Sequence, residues 1–167
     1  MFQSVLVVCT GNICRSPMAE GLLAARLAER GRSVRLASAG IGALVGHPAD
    51  ATATELLALR GIDLRAHRAQ QLTSRLLAEF ELVLVMEEEQ QRAIEMRYPT
   101  ARGRVHRIGK IGKFDVLDPY RRGRPAFERS LALIDRGIEE MGRLLWGQSH
   151  VGAAPGRSSD QVKIGSM

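Results

Sequence analysis

Val5-Leu6-Val7-Val8-Cys9-Thr10-Gly11-Asn12-Ile13-Cys14-Arg15-Ser16-Pro17 is the stretch on which the reading of the chain turns. Its first four residues are apolar without alternation and mostly β-branched. That pattern marks a strand buried on both faces, as in a parallel sheet. Gly11 and Asn12 tolerate unusual backbone angles and mark a loop. Ser16-Pro17 then reads as a helix start, with Ser16 as N-cap and Pro17 in the first helical position. Glu20 would lie in the first turn, where a carboxylate complements the helix dipole. The helix should run to about Arg30 and stop at Gly31.

Outward from there, strands and helices alternate. Val34–Ser38 is a second short strand, followed by a glycine-rich loop from Gly40 to Gly46. Asp50-Ala51-Thr52 caps a helix that ends at Gly61. Leu72–Phe80 holds a short helix started by Thr73 or Ser74. Leu82-Val83-Leu84-Val85-Met86 is another buried strand, Glu87–Tyr98 a helix halted by Pro99, and Val105–Ile108 a weak fourth strand. Residues 109–125 form a long loop. Phe127, Leu131, Ile134, Ile138, Met141 and Leu145 recur at steps of three and four, the core-facing stripe of a last helix. The expected domain is therefore residues 1–146, with 147–167 a Gly/Ser/Ala-rich flexible tail. The alternation implies a single three-layer α/β domain around a parallel sheet. Such sheets bind ligands beyond the C-terminal ends of their strands, where Cys9–Ser16 falls.

Composition narrows the function. The 167 residues suit one domain. Lys plus Arg exceeds Asp plus Glu by 24 − 18 = 6, which admits anionic partners. Only 4% of residues are aromatic, too few for a base-stacking platform, so no nucleic-acid partner is expected. Two cysteines cannot make a disulfide framework. His47, His67, His106 and His150 are scattered without ligand spacing, so no metal site is expected. No apolar run approaches a membrane span, and no signal segment is apparent. A reduced, cytoplasmic chain without membrane insertion is the expectation.

The loop itself carries chemistry. Its backbone N–H groups can converge on one point, the following helix N-terminus adds partial positive charge, and Arg15 adds a planar fork. A tetrahedral oxyanion is the natural guest. Cys9 at the mouth of the loop feels the same field, which favours its nucleophilic thiolate. A thiolate beneath a bound phosphate is set for in-line attack on phosphorus. Attack on an ester also needs an acid for the leaving oxygen. Asp115 and Asp118 are available in the long loop. Asp118-Pro119-Tyr120 is the better candidate, because Pro119 stiffens it and Tyr120 could flank an aromatic group.

These residues resemble the low-molecular-weight protein tyrosine phosphatases over roughly residues 4–146. The anchors are Val7–Glu20, Ser38-Ala39-Gly40 and Asp118-Pro119-Tyr120. The segments Ala39–Gly46 and Asp118–Arg121 are similar to the bacterial capsule and exopolysaccharide branch. The resemblance implies a flavodoxin-like fold with a four-stranded parallel sheet. It implies that Cys9 becomes phosphocysteine, that Arg15 holds the phosphate, and that Asp118 protonates the tyrosyl oxygen and then activates water. Asn12 and Ser16 would fix the loop, whose remaining members Thr10, Gly11, Ile13 and Cys14 line the site. Leu44, Tyr120 and Ile13 would wall the ring pocket. No cofactor is implied. The partner would be a phosphotyrosine protein, a membrane tyrosine autokinase of polysaccharide export, met by a monomer or weak homo-oligomer.

The family's second cysteine can form a reversible disulfide with the first; for Cys14, simple packing is the alternative. Where the family often has Arg, this chain has Gln70, and Arg68 is the candidate to replace its salt bridge. His67 is read as structural. Arg121, Arg122 and Arg124 form either a solvated basic loop or a rim for an acidic tail. Two other functions share the loop. A thioredoxin-linked arsenate reductase needs further cysteines, and none follows Cys14. A non-catalytic phosphate-binding module would not need both Cys9 and Asp118.

Overall fold

Every residue of β1 (Ser4–Cys9) is buried, as its unbroken apolar run predicts. The computed structural model describes residues 1–147, so all of the expected tail except Gly147 lies outside the described residues. After β1 come α1 (Arg15–Glu29), β2 (Arg35–Gly40), α2 (Ala51–Ala58), α3 (Ser74–Ala78), β3 (Leu82–Val85), α4 (Glu88–Arg97), β4 (Val105–Arg107), α5 (Arg124–Glu140) and α6 (Gly142–Leu145). The four strands form one sheet in the order β2-β1-β3-β4, and every pairing is parallel. This is the flavodoxin-type order, with four strands among the described residues.

The side-chain alternation of the strands sorts the helices into two layers. Val5, Val7, Leu82 and Leu84 pack with Met18, Leu22, Leu57, Leu131 and Ile134, which places α1, α2 and α5 on one face. Leu6, Val8, Val83 and Val85 pack with Leu77, Phe80 and Ile94, which places α3 and α4 on the other. The stripe from Phe127 to Leu145 is buried throughout. Among the described residues no helix is long and apolar enough to cross a membrane.

Capping agrees with the sequence at α2 and α3. Asp50 Oδ1 accepts from the Thr52 N–H at 2.8 Å, and Thr73 Oγ1 accepts from the Leu76 N–H at 3.1 Å. The start of α1 differs. The helix begins at Arg15 with Cys14 as N-cap and no side-chain cap, and Ser16 lies inside its first turn. Glu20 therefore falls beyond that turn. Ser16 is not free to cap, because its hydroxyl is held by the Cys9 loop, as described below. Pro17 fits the first turn because it brings no N–H that needs a partner. The last helix also differs, since α5 ends at Glu140 and a new turn starts at Gly142.

Candidate functional site

Cys9 ends β1 and Arg15 opens α1, so the intervening loop lies at the C-terminal edge of the sheet. A network around Asn12 sets its shape. Asn12 has φ 57, the left-handed region that Asn visits more readily than most residues. Its Nδ2 donates to Ser16 Oγ at 2.7 Å and to Ser38 Oγ at 3.0 Å. Its Oδ1 accepts from the Gln70 N–H at 2.9 Å. The Asn12 carbonyl can only accept, so the His67 Nε2 that meets it at 2.7 Å carries the proton. His67 thus holds the loop from outside, a structural position.

Ser16 Oγ accepts from Asn12 and lies 2.9 Å from Cys9 Sγ, toward which its O–H is free to point. The Asn12 N–H also points at that sulfur, at 3.3 Å. The Ser16 hydroxyl and the Asn12 N–H therefore both face the Cys9 sulfur. Cys14 lies among the loop's apolar surroundings. Burial, and after it the charge of Asp50, push its thiol above the ordinary range, so it stays protonated. Both cysteines are free thiols.

Arg15 is 1% exposed. One terminal nitrogen, Nη1, donates to the Val116 carbonyl at 2.8 Å and to Glu87 Oε1. The other, Nη2, lies 3.7 Å from Asp118 Oδ2. Its Nε is buried and has no protein partner among the described residues. A buried N–H of a cation left in that state calls for an acceptor, and an oxyanion over the loop would supply one.

Asp118 faces solvent with about half its side chain. Its Oδ1 accepts from the Tyr120 N–H at 3.1 Å, the Asx turn that Asp-Pro sequences favour. The turn leaves Oδ2 toward Arg15. Asp115 is engaged elsewhere, accepting from Arg107 at 2.8 Å and from the Glu88 N–H at 3.1 Å. The glycine-rich loop is stitched to the Cys9 loop by N–H donors of Ile41, Gly42 and Leu44 to the carbonyls of Cys9, Thr10 and Gly11. Gly40 permits this approach, since a Cβ there would sit 2.5 Å from the Thr10 carbonyl oxygen.

These elements enclose a pocket lined by Cys9, Thr10, Gly11, Ile13, Cys14, Arg15, Gly42, Leu44, Asp118 and Tyr120. It gathers most of the residues singled out from sequence; Asn12 and Ser16 stand behind it as supports. Its volume of about 180 Å³ is below the roughly 300–1,000 Å³ of most ligand clefts, which suits one side-chain-sized guest. Arg68 does not replace a salt bridge; it donates to the carbonyls of Arg65 and His67. Gln70 does the local work instead, with its Nε2 on the Ser38 carbonyl at 2.9 Å.

Sequence reasoning missed Glu87 and Gln90, and it named Ser38 only as an anchor of the resemblance, without its bond to Asn12. Gln90 Nε2 donates to Thr10 Oγ1 at 3.2 Å while its Oε1 accepts from the Met86 and Glu87 N–H groups. The available signal was positional. Glu87 follows a buried strand that ends at the same edge as Cys9, because Val8 pairs with Val85.

A cysteine and a buried arginine thus share one strand-to-helix loop of a parallel α/β sheet. The sequence model of the family "Low molecular weight phosphotyrosine protein phosphatase" matches residues 4–148, and the chain belongs to that family. A probable low molecular weight protein-tyrosine-phosphatase of Ralstonia nicotianae, EpsP, is 49% identical over 139 residues, or 83% of this chain and 93% of that protein. Wzb of Vibrio vulnificus, solved in complex with benzylphosphonate, matches with TM-score 0.79 at 41% identity, covering 86% of this chain and 99% of that one. The arginine phosphatase YwlE of Bacillus subtilis matches with TM-score 0.80 at 29% identity, covering 85% of this chain and 95% of that one. It was solved as a cysteine-to-serine mutant with a phosphorylated active-site serine.

Proposed function

We propose that this protein hydrolyses phosphotyrosine in proteins through a cysteinyl-phosphate intermediate. The observation that carries the reading is the buried, unpartnered Nε of Arg15 in the same pocket as Cys9. In the first step Cys9 Sγ forms a bond to phosphorus as the tyrosyl O–P bond breaks. Protonated Asp118 gives its proton to the leaving oxygen. In the second step water attacks phosphorus, the Asp118 carboxylate takes its proton, and the S–P bond breaks to return the thiolate and release phosphate. Arg15 Nε and Nη2, with the loop amides, stabilise charge on the equatorial oxygens. This needs no metal.

The walls Leu44, Ile13 and Tyr120 favour a flat aromatic ring over the charged guanidinium of phosphoarginine. The benzylphosphonate complex of the Vibrio relative supports the same preference. The proposed partner is a membrane tyrosine autokinase of capsule or exopolysaccharide synthesis. That finer statement rests on the likeness to the capsule branch, as do the cytoplasmic location and the monomeric or weakly oligomeric state.

The test is phosphate release from a phosphotyrosine peptide in metal-free buffer. Cys9→Ser should bind the peptide and release no phosphate. Asp118→Ala should lose more rate on a phenyl phosphate than on nitrophenyl phosphate, whose leaving group needs less protonation. Equal losses on the two would remove Asp118 from the acid role.

A further inference from the structure

The three arginines after the acid are not equivalent. Arg124 is committed, with Nη1 on Glu55 at 2.9 Å and Nε on Glu128 at 3.1 Å. Among the described residues, Arg121 and Arg122 have no carboxylate partner, and both are exposed. The guanidinium carbon of Arg121 lies 5.0 Å from the centroid of the Tyr120 ring, and Tyr120 is a wall of the pocket. The charge of Arg121 is thereby held at the mouth rather than left to wander in solvent.

Its backbone adds a second observation. Arg121 has φ 59, where Gly or Asn would be the less strained occupant. The turn therefore holds a cation where turn geometry alone asks for a smaller residue. Leu44 also lines the pocket, and Val45, next along the chain, is exposed. Arg15 neutralises the phosphate in the pocket, and Asp118 is drawn toward Arg15 at 3.7 Å. A second anion on the same peptide would find Arg121 and Arg122 unoccupied.

We propose that Arg121, with Arg122 beside it, recognises a second anionic group adjacent to the scissile phosphotyrosine in the same polypeptide, a carboxylate or another phosphate. This rests on the phosphatase reading. Arg121 is then a specificity residue that touches no reacting atom.

Three peptides test it, with the phosphotyrosine flanked by alanine, by aspartate or by phosphoserine. The quantity read is the ratio of kcat/KM for each anionic peptide to that for the alanine peptide, so that any shared effect on the ring pocket cancels. Wild type should favour the anionic peptides by about two- to fivefold, the upper part of the range for a solvent-exposed charge pair, mainly through KM. The preference should shrink at high salt. Arg121→Asn suits the left-handed backbone and should bring the ratio near one, whereas Arg124→Ala should keep it. A preference for phosphoserine alone assigns the site to phosphate; an equal preference for aspartate assigns it to negative charge in general. Turnover by wild type without preference, or a preference that survives in Arg121→Asn/Arg122→Ala, overturns the inference and leaves the phosphatase reading standing. No turnover of any peptide by reduced wild type overturns both.

Discussion

Arg15 carries a permanent charge into the interior, where Glu87, with a quarter of its side chain exposed, is its nearer carboxylate partner and Asp118 lies farther off at 3.7 Å. Removing one member of such a pair is costly because the other stays buried and unpaired. Glu87→Ala should destabilise the protein by about 2–3 kcal/mol, less than for a fully enclosed pair because water reaches Glu87. Added phosphate should return part of that loss, since an oxyanion gives Arg15 a new partner. Urea unfolding with and without phosphate reads both effects, and an unchanged midpoint in the variant would show that Arg15 does not depend on Glu87. At this scale the chemistry-bearing residues were legible. Cys9, Arg15 and their loop are contiguous, and Asp118 sits in a recognisable Asp-Pro turn. Glu87, and the part Ser38 plays in holding the loop, were not, because both reach the loop through the pairing of β1 with β3 and β2, which no local pattern records.

The elements were legible wherever periodicity or capping acted alone. The N-terminus of α1 was misread because Ser16 answers to two demands, and the bond to Cys9 outweighs capping. The break between α5 and α6 was hidden because the apolar stripe continues through Met141 to Leu145. Close contact at Gly142, whose Cβ would meet the Trp146 ring at 2.6 Å, belongs to the fold and leaves no periodic mark. A similar approach fixes the seat of α5. A Cβ on buried Gly137 would lie 2.8 Å from the Ile108 carbonyl oxygen, a backbone atom that cannot rotate away. Gly137→Ala should therefore destabilise by about 1–2 kcal/mol, the cost of overpacking less the better helix propensity of Ala. Chemical denaturation measures this, and a gain in stability would mean that α5 shifts freely on the sheet.

For the molecule as a whole, alternation of strands and helices conveyed the layers, whereas the order β2-β1-β3-β4 is a matter of distant pairings that composition does not encode. The sheet edge at β4 also couples global stability to pH. Burial of His106, and after it the charge of Lys110, hold its pKa below the ordinary 6.5, against smaller opposing effects of the Gly103 backbone and Glu95. The unfolded chain then takes up a proton at this residue more readily than the folded one. Its contribution is neutral above pH 6.5 and becomes destabilising as pH falls below that value. His106→Gln should flatten the decline in urea midpoint between about pH 7 and pH 5.5. An identical decline in the variant would assign the effect to other groups. The Asn12 network has a separate consequence for how such a site can be moved or copied. The loop of eight residues is kept in shape by Ser38, His67 and Gln70, which arrive from beyond its own segment. Cut out as a peptide or grafted onto another strand-helix junction, the same eight letters would lose the bend that gathers their amides. The motif is short to write, but it is not portable.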